Sequence, residues 1–394
     1  SCAETLRAEG ADGSIVVVGR EADPPYHRPP LSKGYLRGEE GRDDALLRPD
    51  GWWREQDVEL LVRTSVMKLD PGERTARLST KEEVRFGRAL LATGANVRRL
   101  RVDGSDLGGI HYLRAFANSD GIRADADAAE RVVVIGGSYI ACEVAATLAA
   151  RGTRCTMVMQ EDVTLERSFG AEIGRFFQGV LEEHGVDVLG SDELERLEGD
   201  GERVGKVVTA GGHELDAECV VIGAGVMPDI MLARAAKLEL GESGGIACSS
   251  GLETSTEGVF AAGDVAEYDS PLLGRPVRIE HWDVAREHGR TAARNMLGHD
   301  VAHEAIPYFW SDLADWASLE YVSIGGPPPG APGLRGSLED GAFSAFWLAE
   351  DGRLAGALVV GRPGELEEAR RMIAERSSAD REALADAGAE LSSA

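Results

Sequence analysis

The chain has 394 residues, 43% hydrophobic and 28% charged, with 49 glycines and a net charge of −26; that is too long for one ordinary core and predicts a globular protein of two or three domains. The acidity excludes non-specific binding to nucleic acid or anionic membrane. The apolar stretch closest to membrane length, 132–150, is broken by Gly136, Gly137, Ser138 and Glu143, which excludes a bilayer span there.

In chain order, Ala3 to Glu9 reads as a helix, 10–13 as a turn and Ser14 to Val18 as a short buried strand. These form the back half of a βαβ unit. The strand and glycine loop that begin such a unit are missing, and the chain starts about where that loop would end. Pro24-Pro-Tyr-His-Arg-Pro-Pro-Leu-Ser-Lys33 then holds Arg28 and Lys33 in a proline-stiffened turn. Ala92-Thr93-Gly94 follows a strand-like Arg88 to Leu91.

The clearest unit lies in the middle. Arg131 to Ile135 reads as a buried strand, 136–138 as a tight turn, Tyr139 to Arg151 as a helix and Cys155 to Met159 as a second strand. Gly136-Gly137-Ser138-Tyr139-Ile140-Ala141 is a variant of G-x-G-x-x-G/A. Glycine permits the turn, and the helix N-terminus offers free N–H groups to a pyrophosphate. An acid that grips the adenosine ribose is expected about twenty residues on; Met159 stands in its place and Glu161 two positions later, which leaves NADH and NADPH open.

Further on, Phe260-Ala-Ala-Gly263-Asp264 ends an apolar strand with an acid beside a glycine, and Glu280-His281-Trp282 sets polar groups next to a large aromatic. After Pro307 the aromatics cluster, and an alternating pattern with a Pro/Gly-rich loop at 325–333 predicts a separate α+β domain ending in a helix, Glu365 to Glu375. The tail beyond Arg376 is polar and reads as loosely held. His299 and His303 are spaced i, i+4 but lack the intervening glutamate of a zinc-protease helix; the segment reads as a surface loop and no metal site is expected. The five cysteines, 2, 142, 155, 219 and 248, contain no C-x-x-C, so neither a disulfide scaffold nor a redox dithiol is expected, which fits a reducing cytoplasm.

Alone, each of these strings is an ordinary structural feature. Together, in this order, they resemble the FAD-dependent pyridine-nucleotide oxidoreductases of the ferredoxin and rubredoxin reductase type, a group that includes apoptosis-inducing factor. The P-Y-x-R-P-P-L-S-K and E-H-W strings carry most of that resemblance, which runs over nearly the whole chain. It implies an α/β fold with two Rossmann-like dinucleotide-binding domains, one for FAD and one for NAD(P), and a C-terminal α+β domain. The implied division is 1–110 and 239–305 for FAD, 111–238 for NAD(P) and 306–394 for the interface domain.

By resemblance, Lys33 and Glu143 form a pair beside the flavin. Arg28, Thr93, Gly94, Gly263, Asp264, Glu280, His281 and Trp282 surround FAD. Gly136, Gly137, Ser138, Tyr139, Ile140, Glu161 and Gly223 hold the nicotinamide nucleotide. Arg20 occupies the place of the usual FAD-ribose acid, and Glu21 is the candidate substitute. The implied activity is electron transfer from NADH or NADPH through FAD to a ferredoxin or rubredoxin, by a monomer or homodimer. A direct oxidase or quinone reductase and a redox-responsive binding protein are the alternatives.

Overall fold

The structure, a computed structural model, describes residues 1–325 and 330–391. The middle of the Pro/Gly-rich loop, 326–329, thus lies outside the described residues. Where Val and Ile run uninterrupted, strands form that are buried on both faces. Arg131–Ile135 is central in a five-stranded parallel sheet, flanked by Arg154–Val158 and then Val186–Leu189 on one side, and by Cys219–Ile222 and then Ile110–His111 on the other. The crossover helix Tyr139–Ala150 is apolar nearly all round, with eight buried residues from Ala141 to Leu148. Such a helix must be covered on every side, and the sheet, the Pro29–Ser32 turn and the C-terminal strands cover it.

The other nucleotide half brings together segments distant in sequence. Ala89–Leu91 pairs in parallel with Val259–Ala261, and Ile15–Val18 pairs in parallel with Val58–Leu61. These two pairs are separate sheets, and the large cavity described below is lined by residues of both. The chain crosses between the two nucleotide halves through Ala95–Val97, antiparallel to Val226–Pro228.

After residue 307, five antiparallel strands follow one another across a sheet in the order Tyr308–Leu313, Ala317–Ser323, Leu354–Val360, Ala342–Leu348, Gly333–Ser337. The helix Glu365–Ala374 packs on this sheet through Leu366, Ala369, Met372 and Ile373. This domain packs closely against the central half. Leu313, Tyr321, Phe343 and Trp347 share one core with Val134, Ala145, Phe169 and Phe177 of the central half.

The described part of the tail, 377–391, is also anchored, contrary to expectation. Leu384 is 1% and Leu391 6% exposed. Buried Arg335 pairs with Glu365 at 2.9 Å and donates to the carbonyls of Asp386 and Ala389. Polar composition hid this, because one buried guanidinium satisfies several tail carbonyls at once. Arg335→Met leaves those carbonyls short of a donor, while Glu365 keeps Arg362 and Ser344 at 2.6 Å each, so the cost is that of unsatisfied buried carbonyls, about 1–3 kcal/mol. Limited proteolysis is expected to cut the variant within 381–391 well before the parent; equal cutting would show that Arg335 does not hold the tail.

Candidate active site

A single cavity of about 2250 Å³ runs between the two nucleotide halves and the C-terminal sheet. This exceeds the roughly 300–1,000 Å³ of ordinary small-molecule pockets and matches an extended dinucleotide rather than a compact ligand. Lys33, Glu143, Thr93, Asp264, Trp282 and Phe309 all line it.

The proline-stiffened turn forms a short 3-10 helix, Pro29–Ser32, which carries Ser32 and Lys33 onto the crossover helix. Thr147 fixes the contact by donating to the Ser32 carbonyl at 2.7 Å. Lys33 Nζ and Glu143 Oε1 form a salt bridge, with side chains 12% and 5% exposed. Ser32 donates to Glu143 Oε2 at 2.5 Å and Ser311 to Oε1 at 2.6 Å. A carboxylate this deeply buried requires such complete hydrogen bonding. The two residues, more than a hundred positions apart in the sequence, meet on the wall of the cavity.

The joint residues have clear local roles. Thr93 donates to the Asp229 carbonyl at 2.7 Å, and Asp229 N–H returns a bond to the Gly94 carbonyl at 2.8 Å. Gly94 has φ +66°, and a side chain there would meet Arg114 Nη2 at 2.9 Å. Gly263 opens the turn that carries Asp264, and its N–H donates to Nδ1 of His288 at 3.2 Å. Asp264 lies 3.6 Å from Arg114. Trp282 opens the helix Trp282–Met296 with His281 as N-cap. Its ring sits 5.2 Å from His27 and 5.7 Å from Trp310. His281 Nδ1 is buried without a partner, and burial pushes this imidazole down to about 4; a neutral, unsatisfied nitrogen on a residue of this wall suits a ligand's polar edge. These features fit FAD.

Two expected flavin contacts, Glu21 and Glu280, line the cavity but are already engaged by cations, and Arg20 beside Glu21 is engaged as well. Glu21 is engaged on both oxygens, accepting from Tyr26 and Arg28 at 2.5 Å each, so it holds Arg28 instead of presenting a free carboxylate. Burial would raise its pKa, but those two donors hold it below the usual carboxylate range. Arg20 bonds Asn96 at 2.8 Å and Asp229 at 3.1 Å, on the domain joint. Glu280 is exposed and pairs with Arg278.

On the nicotinamide side, Gly136 has φ +119°, and a side chain there would meet the Gly223 carbonyl oxygen at 2.5 Å. Only glycine fits. A side chain at Gly137 would meet Met159 Sδ at 2.5 Å, so Met159 packs beneath the turn. Ser138 is the N-cap and makes no side-chain cap bond, which leaves the helix N–H groups open to an anion. Tyr139 and Ile140 line the cavity, with Tyr139 edge-on to Phe309 at 4.7 Å. Glu161 is held by Arg167.

Ser32 lies inside the proline-stiffened string with no role assigned to it there. Arg114, His288, Ser311 and Asp312 are missed by sequence reasoning: no motif spacing marks them, since they reach the site only through tertiary packing. The surface-loop reading of 299–303 is half wrong: His299 is exposed, whereas His303 is 2% exposed and packs edge-on against His288 at 4.4 Å. Among the described residues, no group of three or more His, Cys, Asp or Glu is placed to hold a metal. All five cysteines are free, four of them buried, and burial raises the thiols of those four. Among the described residues no helix is long and apolar enough to cross a membrane.

The family model for pyridine nucleotide-disulphide oxidoreductases matches residues 1–289, and a reductase C-terminal model matches 308–394. The ferredoxin–NAD(+) reductase component of the anthranilate 1,2-dioxygenase system of Burkholderia cepacia is 34% identical, over 98% of this chain and 93% of that protein. Putidaredoxin reductase of Pseudomonas putida is 33% identical, over 99% and 95%. Among solved structures, the ferredoxin reductase for the CYP199A2 system of Rhodopseudomonas palustris has a TM-score of 0.94 at 30% identity, covering 100% of this chain and 96% of that one. The fold, the paired nucleotide halves and these matches agree: the chain is an oxidoreductase of the pyridine nucleotide-disulphide oxidoreductase family, with a reductase C-terminal domain.

Proposed function

We propose that the protein passes electrons from NADH through FAD to a [2Fe–2S] ferredoxin serving an oxygenase. FAD would occupy the cavity between 1–110 with 239–305 and the Lys33–Glu143 pair; 111–238 would hold the nucleotide and 306–394 close the site. FAD, when bound, accepts the hydride (two electrons and a proton's worth of hydrogen) and releases electrons singly to two acceptor molecules.

The observation that carries this reading is the salt bridge between Lys33 and Glu143 on the wall of one cavity shared by both nucleotide halves. Lys33 offers an ammonium where negative charge develops, and Glu143, fixed by two serines, keeps it aimed. Phe309, Tyr139 and Phe169 pack together along the cavity wall and help exclude water from the reacting rings. With no cysteine pair, electrons have no internal disulfide to reach. They leave to an external acceptor: the Burkholderia cepacia relative is named as the ferredoxin reductase component of a dioxygenase system, and the Rhodopseudomonas palustris structure as a ferredoxin reductase. In the test, FAD-loaded protein with NADH reduces cytochrome c rapidly only when a ferredoxin is added. Equal rates without it would favour a direct oxidase or quinone reductase.

NADH is favoured over NADPH because the strand end is ringed by carboxylates. Glu161 occupies Arg167; Gln160 donates to Glu193 at 2.5 Å, and Asp162 N–H to Glu166 at 3.0 Å. A 2′-phosphate would enter a negative rim. Glu161→Gln releases Arg167 and is expected to raise kcat/KM for NADPH about tenfold, equivalent to ~1.4 kcal/mol; an unchanged NADPH/NADH ratio would remove Glu161 from that subsite.

A further inference from the structure

Lys33 faces two carboxylates. Besides Glu143, Asp312 Oδ2 lies 4.0 Å from its Nζ, and the Asp312 side chain is 28% exposed. Asp312 is built into place: its Oδ1 accepts from the Ser318 hydroxyl at 2.7 Å, and the two residues stand directly opposite in the hairpin of Tyr308–Leu313 and Ala317–Ser323. The preceding residue, Ser311, is the buried donor to Glu143. One short strand of the C-terminal sheet therefore touches both sides of the ammonium, through a hydroxyl on one carboxylate and through a second carboxylate. An ammonium has three donors. One goes to Glu143, a second is oriented by the charge of Asp312, and Lys33 itself lines the cavity. One cation against two anions leaves the cluster net negative.

We propose that Asp312, fixed by Ser318, is a positioning residue through which the C-terminal domain sets the redox poise of the site, by sharing Lys33 between two carboxylates. This rests on the FAD-binding reading above. A site carrying one excess negative charge opposes further negative charge on a bound flavin, so Asp312 holds the flavin potential down. Asp312→Asn keeps the shape and the bond from Ser318 while removing the charge.

The test uses the full FAD-loaded chain and measures the two-electron midpoint potential of the flavin by dye equilibration, for the parent, Asp312→Asn and Asp312→Glu. D312N is expected to favour the reduced flavin about tenfold, a rise of about 30 mV for a two-electron couple. D312E, which restores the charge, returns the potential to the parent value, and Ser318→Ala moves it in the direction of D312N by less. A D312N potential equal to the parent's, or a D312E variant shifted as far as D312N, overturns the inference while leaving the FAD reading intact. A parent protein that takes up no FAD overturns both.

Discussion

Replacing Lys33 by methionine is expected to slow the reduction of bound FAD by NADH about 100- to 1,000-fold, the usual loss when one charge-stabilising donor is removed from a water-excluded site. Methionine keeps the length and apolar bulk of the stem. It leaves Glu143 with its bonds from Ser32 and Ser311, at 2.5 and 2.6 Å, so the stability loss stays at or below the low end of the ~3–5 kcal/mol usual for a broken buried pair. FAD content and thermal midpoint should therefore change little while the rate collapses. Glu143→Gln is expected to slow reduction less, because Lys33 keeps its charge. The double variant should be no slower than Lys33→Met alone, since the two act as one unit. Stopped-flow flavin absorbance reads all three. A Lys33→Met rate within twofold of the parent would place the pair outside the chemistry.

Acid is expected to unfold the protein earlier than its carboxylates alone would dictate. His288 and His303 are buried, edge-on at 4.4 Å, and neither Nε2 has a hydrogen-bond partner. Burial lowers both, His303 to about 4. In the unfolded chain each takes a proton near the ordinary value of about 6.5. Both folded values lie below the unfolded one, so stability is fully present above about pH 6.5 and is lost as pH falls, the unfolded state binding the extra protons. His303 alone accounts for about 3 kcal/mol by pH 4. Carboxylates held low by partners, such as Asp192 and Glu365 at about 2, contribute only below their unfolded values near 4. The window between about pH 6.5 and 4.5 therefore belongs to the histidines. Thermal unfolding across it should show the midpoint falling steadily, and His303→Gln should flatten that fall; a flat parent profile would contradict the buried neutral pair. Because His288 also accepts the Gly263 N–H, FAD should be lost in the same window.

Periodicity carried the parallel sheet well. Arg131–Ile135 and Tyr139–Ala150 stand within one residue of where the apolar run and the glycine turn placed them, because a doubly buried strand and a fully buried helix leave strong local signatures. The pairing of Lys33 with Glu143 came from resemblance alone. No spacing links residues separated by more than a hundred positions, and only the docking of Pro29–Ser32 on the crossover helix joins them. The role of the serines around Glu143 was hidden for a related reason: a buried carboxylate recruits whichever hydroxyls the packing brings near, and serine is common in every sequence, even where, as with Ser32, it stands inside a motif. Arg335 misled in the opposite sense. A polar tail reads as loose until the guanidinium that gathers its carbonyls is seen. Glu21 and Glu161 were assigned by position along a strand, yet Oε1 of each is paired with an arginine, Arg28 and Arg167, and strand position says nothing about which cation lies alongside.

In the proposed reaction, electrons cross from a nicotinamide to FAD beside Lys33 and then leave the protein one at a time. Anaerobic rapid mixing follows both steps. FAD-loaded protein, reduced with one equivalent of NADH, is mixed with two equivalents of an oxidised [2Fe–2S] ferredoxin, and the flavin and cluster absorbances are followed together. Full reduction of the flavin by NADH is expected, followed by its reoxidation in step with reduction of both ferredoxin equivalents. A flavin that NADH does not reduce, or a reduced flavin that leaves the ferredoxin oxidised, would rule out this route.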